Sequence, residues 1–578
     1  MLIVDGRLDR RLMRLCLGLG ASLGLMLVAT PSPAAEPSPL AQRLQAVAQS
    51  YADRGLFAGA VLVARGDEIL LDRGYGLASQ EWQQSNAPDV RYLLASVSKQ
   101  FTAAAVLRLV DQGRLGLDDP LHRHLPDTPL AWRSITVRQL MAHTSGIPNH
   151  TEGDAFERIK RQRMSPREIV ATFRDLPLDF APGSAMRYSN SGYILLGVLI
   201  ETLTGQRYAE HLATAIFQPL KMADTGVAHG GVITPRLASG YVKTGPNFRP
   251  AEFLHLSVPY AAGALFGTTG DLLKWQRGLY GGAVLSPGML QAMTTPVLAG
   301  YGLGLGIDVA PDGRRAYRHA GGINGFATFL QYEPGTQLTI AVLGNFETAS
   351  SQMLAGKLSA AANGVAVRLP QERRPVAMDA AQLARYEGAY ERTAETTLWV
   401  RRRGDELWAR MGRSGWARIL PESPTDFYVP EADAELLFAL GPDGRVLSAT
   451  PVELTAAAPW PRVERVLATL STQPLYLRGS MNQWSTGQPL ALGADGLHRT
   501  TLELAAGAHE FKLASEDWAV IDLGQRDQAA PLAERGSLSL VGVGGNIALE
   551  IRQRARCEFV VDGRDLIAPQ LTVDCRAP

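Results

Sequence analysis

Strand-like runs stand at both ends of the first 365 residues, and helical patterns fill the space between. "AGAVLVAR" (58–65) and "ILLDRGYG" (69–76) flank a Gly66-Asp67 turn, which reads as a hairpin. Strand-like runs return at "YGLGLGIDV" (301–309), "ATFLQYEP" (327–334) and "LTIAVLGN" (338–345). A chain laid out this way builds one sheet from both of its ends and sets a helical insertion beside it. Helical spacing brackets the sheet: Leu40, Leu44, Val47 and Tyr51 share one face, and a second helical run covers 350–363. A further helix is expected over 97–112, ended by Gly113.

The pattern then changes. "RLPQERRPVAMDA" (368–380) has the charge and prolines of a linker, and short strands with Gly-Asp turns follow it. A second break falls near "TAAAPWPRVER" (455–465), and a third, strand-rich unit runs from about 470 to the end. At 578 residues the chain is too long for one domain. The expected division is a leader at 1–35, a first domain at 36–367, a second at 378–456 and a third at 468–578.

The leader rests on Arg7, Arg10, Arg11 and Arg14 ahead of the apolar run 15–30, then small residues at Ser32, Ala34 and Ala35. That order is a secretory signal peptide, the alternative being an uncleaved anchor. A periplasmic or secreted protein with no stable membrane span after cleavage is expected. Such a compartment favours pairing Cys557 with Cys575, which bracket a short terminal segment. Net charge is +1, so no global field favours nucleic acid.

Three stretches carry chemistry. Ser96 precedes Lys99 by three residues where an alanine-rich helix begins, so the two share a helix face. Lys99 is taken as an exposed cleft residue. In Tyr188-Ser189-Asn190, ahead of "SGYILLGVLIE", alternate residues face one way, and the Tyr188 phenol can relay a proton if nearby cations lower its pKa. His319 leads Ala320, Gly321 and Gly322, and glycines admit a substrate or a second backbone. His122-x-His124 lies in a proline-flanked loop and reads as surface; the chemistry calls for no metal and no cofactor.

Ser96-Val97-Ser98-Lys99, Tyr188-Ser189-Asn190 and His319-Ala320-Gly321 resemble, in order and spacing, the three motifs of class C β-lactamases, D-alanyl-D-alanine carboxypeptidases and their peptidase and esterase relatives. "LMAHTSGIP" (140–148), "IFQPLKMADTGV" (216–227) and "AAGALFGTTGDLLKW" (261–275) add to the likeness. The resemblance implies an α/β (α+β) fold: an antiparallel sheet flanked by helices, with a helical subdomain and the cleft between them. It implies Ser96 as acylated nucleophile, with Lys99 and Tyr188 moving protons. Asn190, His319, Gly321 and Gly322 would bind substrate, and the N–H groups of Ser96 and Gly322 would form the oxyanion hole. Small peptides, esters or β-lactam-type compounds are the implied substrates. Where these β-lactamases carry lysine in the third motif, this chain has His319, only partly charged at neutral pH by its ordinary pKa. That points to a D-amino-acid peptidase or esterase type of serine hydrolase. The rivals are a true β-lactamase and a non-catalytic cell-wall or glycan binder.

Residues 380–455 resemble the small lipocalin-like β-barrel appended to such proteins. Residues 475–524, with "RGSMNQW" and "EFK", resemble the β-sandwich modules that bind glycogen and starch. Trp484 and Trp518 there either stack on a glycan or serve as core.

Overall fold

The computed structural model describes residues 37–577 except 153, 245–246, 311–312, 394–395, 413–414, 431–432, 453–458, 465–469, 517, 519–520, 526–530 and 543. The expected leader (1–35) therefore lies outside the described residues. Among those described, no helix is long and apolar enough to cross a membrane.

Both ends of the first domain meet in one sheet. Its strands are β1 (Gly59–Arg65), β2 (Glu68–Tyr75), β3 (Gly306–Val309), β4 (Arg315–Ile323), β5 (Phe326–Glu333) and β6 (Leu338–Gly344). They pair antiparallel in the order β3-β4-β5-β6-β1-β2, with Ala60 opposite Leu343 and Leu62 opposite Ala341. Alternation along β1 explains its unbroken apolar run. Ala60, Leu62 and Ala64 join the core shared with the helical body. Val61 and Val63 join a second core with Leu44, Val47 and Tyr51 of α1 (Pro39–Asp53) and Leu354 and Leu358 of the helix Ser351–Ala362. Pro39 opens α1 where its missing N–H costs nothing.

The run 301–309 gives a strand only from Gly306 onward. Gly304 takes φ +87°, and a Cβ there would lie 2.6 Å from the Ala103 Cβ. The chain turns tightly against the helix α2 (Ser98–Asp111) at that point and carries Tyr301 into the interior.

The second domain is a closed barrel of eight strands, from Gly388–Thr393 to Trp460–Val463. The expected boundary at 456 falls short of the closing strand. Its Pro461 reads as a break, but Trp460 fills the barrel core and Val463 pairs with Ala389. The linker is docked: the Arg373 side chain is buried between Glu422 (2.6 Å) and Glu435 (2.5 Å) and stacks on Tyr428.

Nine strands form the third unit, Leu475–Gly479 through Gln570–Arg576. The first strand also pairs with the fourth, so the sheet folds back on itself around one apolar core. Cys557 and Cys575 face each other across its last two strands and form the expected disulfide.

Candidate active site

Every residue from Tyr92 to Leu107 is buried except Ser96. Ser96 sits in the single 3-10 turn Ala95–Val97 that feeds α2. Ala95 takes φ +49°, an uncommon conformation for a residue with a side chain, and bends the chain just before the serine. Strand β4 runs close against this bend. A Cβ on Gly321 would stand 2.4 Å from the Leu94 carbonyl oxygen, whereas one on Gly322 would meet open space. Gly322 and Ser96 therefore line one cavity of about 150 Å³, and Gly321 lets the strand approach from behind.

Lys99 is not an exposed cleft residue: its exposure is 0%. Its Nζ reaches the Asn190 Oδ1 and the Ala262 carbonyl, each at 2.8 Å, and Ser96 Oγ at 3.1 Å. Burial holds its pKa well below the ordinary lysine value. A neutral amine has two hydrogens and one lone pair. The Asn190 and Ala262 oxygens can only accept, so in the neutral form they take both hydrogens and leave the lone pair to the Ser96 hydroxyl, whereas the ammonium form donates to all three oxygens. Asn190 is held in this orientation because its Nδ2 donates to Thr151 Oγ1 at 3.0 Å.

The condition set for Tyr188, a pKa lowered by nearby cations, is not met. Burial pushes its phenol pKa up, and proximity to Ser96 only partly offsets that. It is a neutral phenol, its hydroxyl buried beside Ser96. Lys99 Nζ lies 4.8 Å from the centre of its ring.

His319 lies behind this group, with 6% exposure. A run of hydrogen bonds fixes its protons. The Ser189 N–H donates to His143 Nδ1 (3.2 Å), which leaves the hydrogen of a neutral His143 on Nε2, directed to Tyr301 Oη (3.3 Å). The Tyr301 hydroxyl donates to His319 Nε2 (2.9 Å), and His319 Nδ1 donates to the Ala320 carbonyl (2.6 Å). Desolvation first, and Lys99 next, press the His319 pKa down to about 3. The partial charge expected of it is absent at neutral pH, and both ring nitrogens are engaged within the protein. The adjacent Arg318 is paired with Asp308.

The structure thus brings Ser96, Lys99, Tyr188 and Asn190 together, with Gly322 across the cavity. His319 and Gly321 support the strand and do not line that cavity. His143, Tyr301 and the Ala262 carbonyl were not singled out by sequence. His143 stood inside the quoted stretch 140–148, and nothing local marks Tyr301. In the third unit, Trp484 and Trp518 approach to 6.1 Å but tilt by 41°, and Arg478 stacks 4.1 Å from the centre of the Trp518 ring. This is not a flat two-ring platform.

This fold and its serine–lysine centre define a class of serine hydrolases. A beta-lactamase family model matches residues 44–362, and the chain belongs to that family. A domain of unknown function, DUF3471, matches residues 372–458. Penicillin-binding protein 4* of Bacillus subtilis is 28% identical over 428 residues, 70% of this chain and 94% of that protein. The octameric penicillin-binding protein homologue of Pyrococcus abyssi superposes with a TM-score of 0.53 at 24% identity, covering 71% of this chain and 96% of that one. A Bacillus halodurans penicillin-binding protein gives 0.50 at 24%, covering 55% and 99%. These two structures share the fold.

Proposed function

We propose that this serine hydrolase works through an acyl-enzyme on Ser96, with ester, amide or peptide substrates that lack a carboxylate beside the scissile bond. The observation that carries the reading is the Lys99 amine, held 3.1 Å from Ser96 Oγ by its contacts with the Asn190 Oδ1 and the Ala262 carbonyl. Lys99 takes the Ser96 proton as Oγ bonds to the carbonyl carbon. The Tyr188 phenol passes a proton to the leaving oxygen or nitrogen as the carbonyl bond to it breaks. Water then attacks the acyl ester, giving one proton to the Tyr188 phenolate, and Lys99 returns its proton to Ser96 Oγ as the ester bond breaks and the acid leaves. The N–H groups of Ser96 and Gly322 hold the developing oxyanion.

Substrate choice rests on the third motif. A neutral, internally bonded His319 offers no cation to a fixed anion, and Arg318 is engaged elsewhere. Losing a charge-assisted bond costs about 1.5–3 kcal/mol, or roughly ten- to a hundredfold in kcat/KM. Esters without a carboxylate are therefore turned over better than β-lactams. Export to a periplasmic or secreted location fits both the leader sequence and the disulfide.

A fluorophosphonate probe tests the mechanism. Wild type labels at Ser96, and Ser96→Ala does not; equal labelling of the two defeats the assignment. Nitrocefin hydrolysis exceeding short-chain p-nitrophenyl ester hydrolysis would promote the β-lactamase alternative.

A further inference from the structure

The eight-stranded barrel carries a face that neither the acyl-transfer scheme nor the barrel core uses. Leu398, Val400, Leu407 and Ala409 point into the core, so alternation sends their neighbours outward. On the adjacent strands Thr396–Arg403 and Glu406–Met411, Trp399 stands opposite Arg410 and Arg401 opposite Trp408. The next strand, Ala417–Pro421, sets Arg418 opposite Trp408, and Trp416 just ahead of it extends the first row. Arginine and tryptophan thus alternate in both directions across three strands. Arg410 Cζ lies 5.1 Å from the centre of the Trp416 ring, and Arg401 Cζ 5.6 Å from that of Trp399.

What this lattice lacks is acid. Arg418 is paired with Glu406 at 3.0 Å, and Arg403 with Asp565 of the terminal sandwich at 2.9 Å. Arg401 donates one N–H to the Val400 carbonyl (3.0 Å) and has no ion pair among the described residues. Arg410 has neither a hydrogen bond nor an ion pair among them. Both are half-buried, and desolvation leads the causes that hold each below the ordinary arginine pKa, with Arg401 adding to the effect at Arg410. Two desolvated cations side by side without a counter-charge are costly, and contact with indole rings offsets only part of that. Of the Arg410 nitrogens only Nε is enclosed, so the Nη pair stands open at the surface. A guanidinium fork of this kind fits a carboxylate or a phosphate. Arg401 and Arg410 are diagonal neighbours on the sheet, about 7–8 Å apart. A nucleic acid strand sets a phosphate about every 3.4 Å and calls for a longer run of cations. A sugar acid carries one charge per ring, and its flat C–H face packs on an indole. Trp408 and Trp416 remain partly exposed for that contact, whereas Leu566 of the sandwich covers Trp399 and closes one edge of the face.

We infer that this outer face of the barrel binds an acidic glycan, its carboxylates on Arg401 and Arg410 and its ring faces on Trp408 and Trp416. The site is separate from the Ser96 cavity, and the inference does not depend on Ser96 acylation.

Calorimetric titration of the full chain with three ligands tests it: a galacturonate oligosaccharide, the same oligosaccharide methyl-esterified at its carboxylates, and single-stranded DNA. Wild type should bind the free acid, more weakly as salt is raised, and should bind the ester and the DNA far less tightly. Arg410→Gln should weaken binding of the free acid by roughly ten- to a hundredfold, the range for one charge-assisted hydrogen bond. Arg410→Lys keeps the charge without the planar fork and should fall between the two. Arg418→Gln, on the same face but already paired with Glu406, should leave the affinity nearly unchanged. If Arg410→Gln fails to fold, Arg401→Gln takes its place, and the comparison of acid with ester on wild type needs no variant. No binding of the free acid at low salt would overturn the inference, and so would equal affinity for acid and ester. DNA binding as tight as that of the oligosaccharide, and equally dependent on Arg410, would also overturn it by showing a general polyanion site.

Discussion

The catalytic core gathers buried bases, whereas the terminal sandwich holds many of its ionisable side chains at the surface and buries His498 in the manner of the core. In the core, Lys99, His143, His150 and His319 are buried, and desolvation leads the causes that press the pKa of each below its ordinary value. In the sandwich, Arg499–Asp495, Arg564–Asp562 and Arg576–Asp574 sit at the surface as ion pairs, and a disulfide joins the last two strands. Exposed pairs of this kind contribute little stability and suit a scaffold. Buried neutral bases destabilise the fold at acid pH, yet they put a lone pair next to a hydroxyl at neutral pH. The difference teaches where function lies in this chain: where titratable groups are held dry against their ordinary pKa values.

Lys99→Met strikes the core hardest. It fills similar volume without the ammonium group, so acylation of Ser96 should fall by on the order of 10³-fold or more. Thermal stability should hold or rise, because a desolvated amine has been removed. The check pairs phosphonate labelling rate with a melting curve. A variant that acylates normally would show that Lys99 is structural. Lys99→Ala is the poorer probe, since it opens a cavity in a fully buried site.

The sandwich should respond the other way round. Replacing Cys557 and Cys575 by alanine removes a cross-link at sequence separation 18, for which the chain-entropy model gives roughly 3 kcal/mol. That loss should appear as lower hydrogen-exchange protection in 555–576, with Ser96 labelling unchanged. Deleting residues from 465 onward should likewise leave labelling intact. Observed ties of this unit run to the barrel, through Arg403–Asp565 and through Leu566 against Trp399. Loss of acylation in a folded truncation would show that the sandwich helps to build the cleft.

Acid should separate the two regions by pH. His150 and His319 have folded values of about 4 and about 3 against an ordinary 6.5. Between those values the unfolded chain binds more protons, so the core loses stability as pH falls below about 6.5. Asp495 and Asp562 are lowered from 3.8 to about 2 by their arginines, so their contribution is present above 3.8 and is lost only as pH falls toward 2. Hydrogen-exchange protection over 92–107 should therefore weaken at a higher pH than protection over 555–576. The reverse order would contradict the buried-neutral description of the core. Activity has an acid limb as well, because protonating Lys99 removes its lone pair.

Much of this contrast was legible in the sequence, for identifiable reasons. Hairpin turns and period-two runs located five of the six catalytic strands, since local turn chemistry and burial agree there. Ser96, Lys99, Tyr188 and Asn190 fell into short motifs whose spacing survives folding. Long-range electrostatics did not. Lys99 looked exposed because a lysine in a sequence carries no sign of the layers that later cover it. Nearby cations would lower the Tyr188 phenol pKa, but burial outweighs them and raises it. Tyr301 stood inside the quoted run 301–309 but was read there as part of a strand, and nothing in the run announces the turn at Gly304 that carries it inward. Trp460 was hidden by the proline that follows it.

The smallest expected effect tests the proton-ordered chain that joins the second and third motifs. The Tyr301 hydroxyl accepts from His143 and donates to His319, so it ties the loop before Asn190 to strand β4. Tyr301→Phe keeps the ring and leaves two buried imidazole nitrogens without partners. Each lost neutral hydrogen bond is worth about 1 kcal/mol, so kcat should fall by roughly three- to tenfold. KM for a short-chain ester should stay nearly constant, because Tyr301 is not among the residues that line the cavity. A merely structural tyrosine would lower melting temperature without that split between kcat and KM. Its hydroxyl also keeps His319 Nε2 in the accepting state, so its removal should narrow the gap between ester and β-lactam turnover at low pH, where a freed imidazole can take up a proton. A Tyr301→Phe enzyme with unchanged kcat and an unchanged ester to β-lactam ratio would show that the chain of hydrogen bonds stabilises the fold without positioning the site.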